Sequence, residues 1–273
     1  MYDVSIIMVV YDGDDTNHFE EALVSLYPNN NFYNEIVLVI NGEISKKKKK
    51  IIEKLKDDLK IKPIFLKTNI GLAQGLNIAL KNVKNEWIAR FDSDDINSQD
   101  RFYKIQKYIN KYGRDFDVMG TFISEFEFTL KDNKKYIRKV PLYLDEIKKR
   151  LIYRSPMNHV SVFFKKEIFD KGNFYPLIDG FEDYALWAKL ISKGYKFKNF
   201  PEITVYVRTG ANMVKRRGGF KYILKEFKLR FFLTKYINLA NWPINFLVLF
   251  LRIFAFSLSK EIKKFIYIFI RKF

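Results

Sequence analysis

The chain has 273 residues, 48% of them hydrophobic and 29% charged, with a formal net charge of +18. That length and apolar fraction suit one large α/β domain, or a domain with an appendage, and exclude a disordered chain. Cysteine is absent and histidine occurs twice, which rules out disulfides, a thiol nucleophile and zinc–thiolate sites and sends any metal to carboxylates.

The opening MYDVSIIMVVYDG lacks the basic start and small-residue cleavage site of a signal peptide, so a cytoplasmic start is expected. Val4–Val10 has strand length and is followed by the acidic loop Asp12–Asp15 and an amphipathic stretch, Phe19–Leu26. Glu35–Ile40 is near-continuously apolar, as a parallel strand covered on both faces should be. Asn41-Gly42 ends it, and Ser45 is placed to cap a helix over Lys46–Leu59, whose five-lysine run reads as a solvated face. Pro63–Leu66 is a short third strand, and Gly71–Val83 sets Leu72, Leu76, Ala79, Leu80 and Val83 on one side of a helix. Glu86–Phe91 is the fourth strand, followed by a helix over Gln99–Tyr112.

This alternation predicts a parallel, twisted sheet with right-handed crossovers and ligands at the carboxyl ends of its strands. Three polar clusters fall there: Tyr11–Asp15, Asn41–Glu43 and Asp92–Asp95. From about 117 the pattern shortens. It reads as a charged hairpin (Lys131–Tyr136), a helix over Asp145–Tyr153, a strand over Val160–Phe164, a helix over Glu182–Ser192 and a final strand, Ile203–Val207.

Residues 215–273 carry 14 Lys/Arg against Glu226 and Glu261 and so hold most of the excess charge. Such a tail needs a polyanion. Nucleic-acid arms are polar between their basic residues, whereas this tail is rich in Phe, Leu and Ile, so an anionic membrane surface is favoured over nucleic acid. The apolar run Trp242–Phe256 would span about 22 Å as a helix, short of a hydrocarbon core of about 30 Å. Arg252 inside it would cost about 2.5–3.5 kcal/mol at the bilayer centre. Monotopic attachment is the expectation; the alternative is that these apolar residues close the back of the domain.

Asp92-Ser93-Asp94-Asp95 places three carboxylates within four residues after a buried strand. They repel one another unless a cation is present, and a hard divalent ion commonly takes one or two carboxylates plus phosphate oxygens. In extended backbone Asp92 and Asp94 point the same way. Asp95 or Ser98 could instead cap the following helix, but three acids exceed that need. GxxxxGK[ST] is absent, and VVYDGDD stands where GxGxxG would follow the first strand, which argues against P-loop NTPases and dinucleotide oxidoreductases.

With these residues assembled, the chain resembles the family 2 glycosyltransferases of the GT-A fold, and in particular bacterial enzymes that extend lipopolysaccharide, O-antigen or capsule chains. The resemblance is carried by SIIMVVYDGDD, EIVLVINGEI, TNIGLAQGLNIAL, EWIARFDSDDINSQDRF, NHVSVFFKKEIF, FEDYALWAKLISKGYKFKN and MVKRRGG, in the family's order. It implies an α/β GT-A domain over 1–219, a single twisted, mostly parallel sheet flanked by helices. A basic, amphipathic, membrane-associating helical segment would follow over 220–273.

The same resemblance implies roles. Val10, Tyr11 and Asp12 would pack on the nucleotide base, with Asn41 nearby; Asn69 and Gly71 match the turn beside the nucleotide, and Arg90 the arginine of "IAR". Asp92 and Asp94 match the metal-binding DxD pair around Ser93, taking Mn2+ or Mg2+. His159 would lie near the diphosphate or acceptor, Arg216 and Arg217 would close over the diphosphate, and Asp183 would be the base, its pKa raised by Glu182. Many family members have two acids after the second strand where this chain has Ile40 and Asn41, which loosens the tie to a uridine nucleotide; Gln99 replaces a usual proline.

The implied activity is inverting, metal-dependent transfer of a hexose or N-acetylhexosamine from a nucleotide-diphosphate sugar, UDP-linked, to a lipid-linked or lipopolysaccharide glycan. The enzyme would sit peripherally on the cytoplasmic face of the inner membrane. Two other readings stand beside it: a non-catalytic basic module binding polyanions or membrane, and a nucleotidyltransferase on a related sheet.

Overall fold

The computed structural model describes residues 2–113, 115–127, 129–130, 136–209, 220–236 and 242–257. Strand β1 (Val4–Val10) divides its side chains between two cores: Val4, Ile6, Met8 and Val10 face one, and Ile7 the other. A strand dry on both faces must be apolar throughout, and β2 (Glu35–Ile40) is buried at every position. β1 pairs in parallel with β2 and with β4 (Trp87–Arg90), and β2 pairs in parallel with β3 (Ile61–Phe65). β3 begins before Pro63 and takes the proline into the strand. It can do so because β3 is the sheet's edge, where a missing N–H need not break a ladder.

The sheet continues through β5 (Ile96–Asn97), β6 (Val118–Phe126), β8 (Phe163–Lys165) and β9 (Phe197–Arg208), in the order β3-β2-β1-β4-β8-β6-β9-β5. β7 (Tyr136–Arg138) pairs with β6. β8 runs antiparallel to β4 and β6, so the sheet is mixed beyond its parallel half.

Other segments differ from the sequence reading: the helix from Lys46 ends at Leu55, not Leu59, and the hairpin expected over Lys131–Tyr136 lies, up to residue 135, outside the described residues. Val160–Phe164 is not one strand: His159–Ser161 forms a 3-10 turn and β8 starts at Phe163. Ser161 is the cause, since its hydroxyl bonds the carbonyls of Asn158 and Thr121 and accepts the Thr121 N–H, competing with a regular ladder. β9 is 12 residues long, not the five of Ile203–Val207. Its first half is masked by Lys198, Asn199, Pro201 and Glu202, and the register with β6 shifts beside Pro201, whose missing N–H a bulge tolerates.

Helices α1 (Thr16–Val24), α2 (Lys46–Leu55) and α4 (Arg101–Tyr112) cover one face with Phe19, Leu23, Ile52, Phe102 and Ile105. On the other lie α3 (Leu72–Asn82), α5 (Leu144–Leu151), α7 (Glu182–Ser192) and α8 (Phe220–Leu233), with the short α6 (Glu167–Asp170). Lys46, Lys47, Lys49 and Lys50 are solvated as expected, but Lys48 is 1% exposed. Its Nζ donates to the carbonyls of Tyr11 and Asp12 at 3.2 and 2.6 Å, so this lysine pins the loop after β1.

The basic tail packs inward on one side. Leu229 and Leu233 of α8 enter the second core, and α9 (Trp242–Ser257) lies against α8. Arg230 locks the hairpin: it bonds Glu226 (2.9 Å), the carbonyls of Ile152 and Tyr153 (2.8 and 3.3 Å) and Asn245 (3.1 Å), and Asn245 returns a bond to the Arg230 carbonyl. The outer side stays apolar and exposed at Phe227, Phe231, Phe250, Leu251 and Phe254. No helix among the described residues is long and apolar enough to cross a membrane.

Candidate active site

β4 ends in Arg90, a buried guanidinium ion-paired with Asp92. Beyond it, carboxylate oxygens of Asp92, Asp94 and Asp95 all lie within 4.8 Å of one another. Ser93 Oγ donates to Asp14 Oδ2 at 2.8 Å, and the same oxygen accepts the Tyr11 N–H, so the loops after β4 and β1 are joined. Asp95 is buried and accepts the Arg208 N–H at 2.9 Å. It does not cap a helix, and neither does Ser98: α4 starts at Arg101 with Asp100 at its cap position.

Burial, then the charges of Asp92 and Asp14, pushes the Asp94 carboxyl up to about 6. Burial, then Asp92 and Asp94, raises Asp95 well above the usual carboxylate range. Crowded oxygen ligands whose ionised forms repel one another are the donor set a hard divalent cation requires, so the residues present fit such an ion. Beneath them Arg101 is fully buried, donating to the carbonyls of Arg90 and Val160; burial, then Arg90, pulls its guanidinium down to about 9.

The strand-end residues do not all face the same way. Val10 is fully buried in the first core because β1 alternates its faces, so its side chain is withdrawn from the nucleotide side. Tyr11 is 37% exposed, and Asp12 is held by the Ser45 N–H and Lys48. Asn41 uses its amide internally: Oδ1 accepts the Ile70 N–H, and Nδ2 donates to Asn69 Oδ1 and to the Gly71 carbonyl. This side chain therefore braces the turn at 69–71. Gly42 has φ +92°, and a Cβ there would sit 2.9 Å from the Asn69 nitrogen, so only glycine lets the two turns meet.

The 3-10 turn, which packs on β4, and the start of α7 carry the other candidates. His159 Nε2 lies 2.7 Å from the Tyr175 hydroxyl, whose backbone is clamped by Asn77. Burial, then Arg90, holds His159 well below the usual histidine range and so neutral. Glu182 and Asp183 open α7 with no side-chain cap from Phe181. Asp183 accepts from Ser155 Oγ at 3.3 Å. Burial raises its pKa, against the Tyr184 N–H, Arg138, Arg90 and Ser155, which lower it. Glu182 is pushed up to about 7 by burial and then by Asp183. The Asp183 charge adds to burial in raising Glu182, the like-charge repulsion expected of this pair. Arg216 and Arg217 lie outside the described residues.

Asp14, Tyr175, Ser155 and Arg208 join the site through contacts between distant segments, most of them without a signal in the sequence. Asp14 alone left a trace, in the acid-rich YDGDD.

A sheet with an acidic triad after its fourth strand, a braced turn at 69–71 and an acid pair opening α7 has the layout of a GT-A sugar transferase. The sequence model described as Glycosyl transferase family 2 matches residues 5–172, and the chain belongs to that family. It is 34% identical to the UDP-Gal:alpha-D-GlcNAc-diphosphoundecaprenol beta-1,3-galactosyltransferase of Escherichia coli, over 96% of this chain and 94% of that one. It is 30% identical to the E. coli UDP-Glc:alpha-D-GlcNAc-diphosphoundecaprenol beta-1,3-glucosyltransferase WfaP, over 82% and 83%. The fold is similar to that of S. aureus TarS 1-349 in complex with UDP-GlcNAc, at TM-score 0.66 and 16% identity, over 90% of this chain and 70% of that one. The chain is a glycosyltransferase, and the readings as a non-catalytic module or a nucleotidyltransferase fall away.

Proposed function

We propose that the chain transfers a hexose or N-acetylhexosamine from a UDP-sugar to a hydroxyl of a lipid-linked α-D-GlcNAc diphosphate, with inversion, during assembly of a bacterial surface glycan. The two E. coli relatives differ in donor sugar and share that acceptor by name, which supports the acceptor more strongly than the sugar. UDP-galactose and UDP-glucose hold their sugars in α linkage, so the β products in those names favour inversion here.

The observation that carries the reading is the position of Arg90. Its guanidinium ion-pairs Asp92, and its charge also reaches Asp94, Asp95, His159, Glu182 and Asp183, so the donor-side acids and the α7 acids share one field. Asp92 and Asp94, with Asp95, would hold Mn2+ or Mg2+, which when bound neutralises charge on a diphosphate. Tyr11, Asp12, Asn69 and Gly71 frame the nucleotide side. Asp183 accepts the proton of the acceptor hydroxyl as its oxygen bonds the anomeric carbon and the bond to the β-phosphate oxygen breaks. Attack from the face opposite the leaving group inverts that carbon. The family resemblance assigns Arg216 and Arg217, outside the described residues, to the departing diphosphate, whose charge their guanidiniums would offset.

The test is a panel of UDP-sugars with Mn2+ or Mg2+ and a short-chain α-GlcNAc-diphosphate acceptor, the product's anomeric configuration being read by NMR. A β-linked disaccharide that disappears in Asp183→Asn supports the reading; full activity of that variant removes the base assignment.

We further propose that the enzyme sits peripherally on the cytoplasmic face of the inner membrane, through the outer side of α8 and α9. Exposed Phe227, Phe231 and Phe250 within a tail of 14 Lys/Arg match an anionic bilayer surface. Phe231→Glu with Phe250→Glu should release the protein from anionic liposomes, and undiminished co-sedimentation would place the anchor elsewhere.

A further inference from the structure

We infer that Arg208, held by Glu21 of α1, is a positioning residue for the divalent cation: it keeps the arch 91–95 in the crowded form that takes up the ion. The inference rests on the metal reading given above and assigns that site a support lying outside its ligands.

The arch leaves β4 after Arg90 and rejoins the sheet at β5, where Ile96 and Asn97 pair antiparallel with Tyr206 and Val205 of β9. Arg208, the last residue of β9, meets the acids. Its N–H donates to Asp95 Oδ1 at 2.9 Å and its Nε to the Asp94 carbonyl at 3.3 Å. At the far end of the fork Nη2 donates to Glu21 Oε2 at 2.5 Å, and the guanidinium carbon lies 4.8 Å from the ring centroid of Phe126, where β6 ends. The Arg208 side chain is 10% exposed, so the fork has little water to turn into.

α1 and its entry loop frame the arch at successive points. Asp14, next to the cap residue Asp15, accepts the Ser93 hydroxyl at 2.8 Å. Glu21 holds Arg208 and through it Asp94, and Ser25 Oγ, just past the helix, accepts the Asn97 N–H at 2.9 Å. This bracing has work to do, because carboxylates of Asp92, Asp94 and Asp95 lie within 4.8 Å of one another and repel when ionised without a cation. An unbraced arch relieves that repulsion by spreading, and a spread arch must be drawn together again when the ion binds. Nε of Arg208 takes the main-chain carbonyl of Asp94, so this bond resists spreading without competing for that residue's carboxylate oxygens. Groups that fix ligands in this way set metal affinity.

The experiment titrates Mn2+ into the full-length protein in the presence of UDP and reads free Mn2+ by electron paramagnetic resonance. It uses wild type, Arg208→Gln, Arg208→Lys, Glu21→Gln and the double variant Arg208→Gln with Glu21→Gln. Glu20→Gln, whose carboxylate faces Lys54 at 3.7 Å, is the control. Arg208→Gln should raise the Mn2+ Kd about tenfold. Glu21→Gln should raise it about threefold, the carboxylate being exposed, and Glu20→Gln should leave it unmoved. The double variant should bind Mn2+ no worse than Arg208→Gln, because Glu21 acts through Arg208. Arg208→Lys should fall between wild type and Arg208→Gln, since an ammonium keeps Glu21 but lacks the fork. A merely stabilising role would lower the urea midpoint of Arg208→Gln and leave its Mn2+ Kd unmoved. That result, or an unmoved Kd in Glu21→Gln should Arg208→Gln not fold, overturns the inference and leaves the metal reading standing. A wild type that binds no Mn2+ in the presence of UDP overturns the metal site and the inference with it.

Discussion

Glu182 offers a test whose sign is counter-intuitive, because removing an acid from the site should stabilise the protein. The residue is 8% exposed, and its carboxyl is pushed from the ordinary 4.5 up to about 7 by burial and by the Asp183 charge. The folded chain therefore binds this proton more tightly than the unfolded chain. Stability from the group is full below the unfolded pKa and is lost as pH climbs through about 7. A shift of that size corresponds to about 3 kcal/mol at 1.36 kcal/mol per pH unit. Glu182→Gln imitates the protonated form at every pH. It should exceed wild type by less than about 1 kcal/mol at pH 5 and by about 3 kcal/mol at pH 8.5, the latter roughly 6–10 °C in Tm for a chain of this size. Urea unfolding of both proteins at the two pH values reads the difference directly. A stability gap that does not change between pH 5 and pH 8.5, or a variant less stable than wild type at pH 8.5, would refute the account of Glu182 as an acid held protonated by its surroundings.

Other outcomes follow from the same geometry. Arg230→Met takes the cation from a fully buried carboxylate and should cost about 3–5 kcal/mol, whereas Arg230→Met with Glu226→Leu should recover most of the loss; thermal melts of the double-mutant cycle decide it. Lys48→Met frees the carbonyls of Tyr11 and Asp12 and should weaken donor binding about tenfold by calorimetry, while Lys47→Met on the solvated side changes nothing. Tyr175→Phe removes the partner of His159 Nε2 and should alter the tautomer seen in 15N spectra; an unmoved spectrum would show that the hydroxyl does not orient the ring. Asp94→Asn should abolish the extra thermal stabilisation that Mn2+ gives in the presence of UDP, and a retained shift would remove Asp94 from the ion's ligands.

The sequence by itself determined the elements whose environment repeats along the chain. β1 and β2 read as doubly covered strands because both faces are apolar, and the cap at Ser45, the acid cluster after β4 and the start of α7 were local in the same sense. Tertiary structure decided whatever depended on partners far away in sequence. Lys48 is indistinguishable from its four neighbours until the fold sets two carbonyls over its ammonium. Val10 lies next to Tyr11, yet strand alternation buries one and exposes the other. Ser161 breaks a plausible strand through bonds to Thr121, 40 residues away, and β9 hides its first half in polar residues paired along β6. Hydrophobic period and capping are written in nearest neighbours, whereas hydrogen-bond partners and electrostatic fields are fixed only when the chain closes on itself.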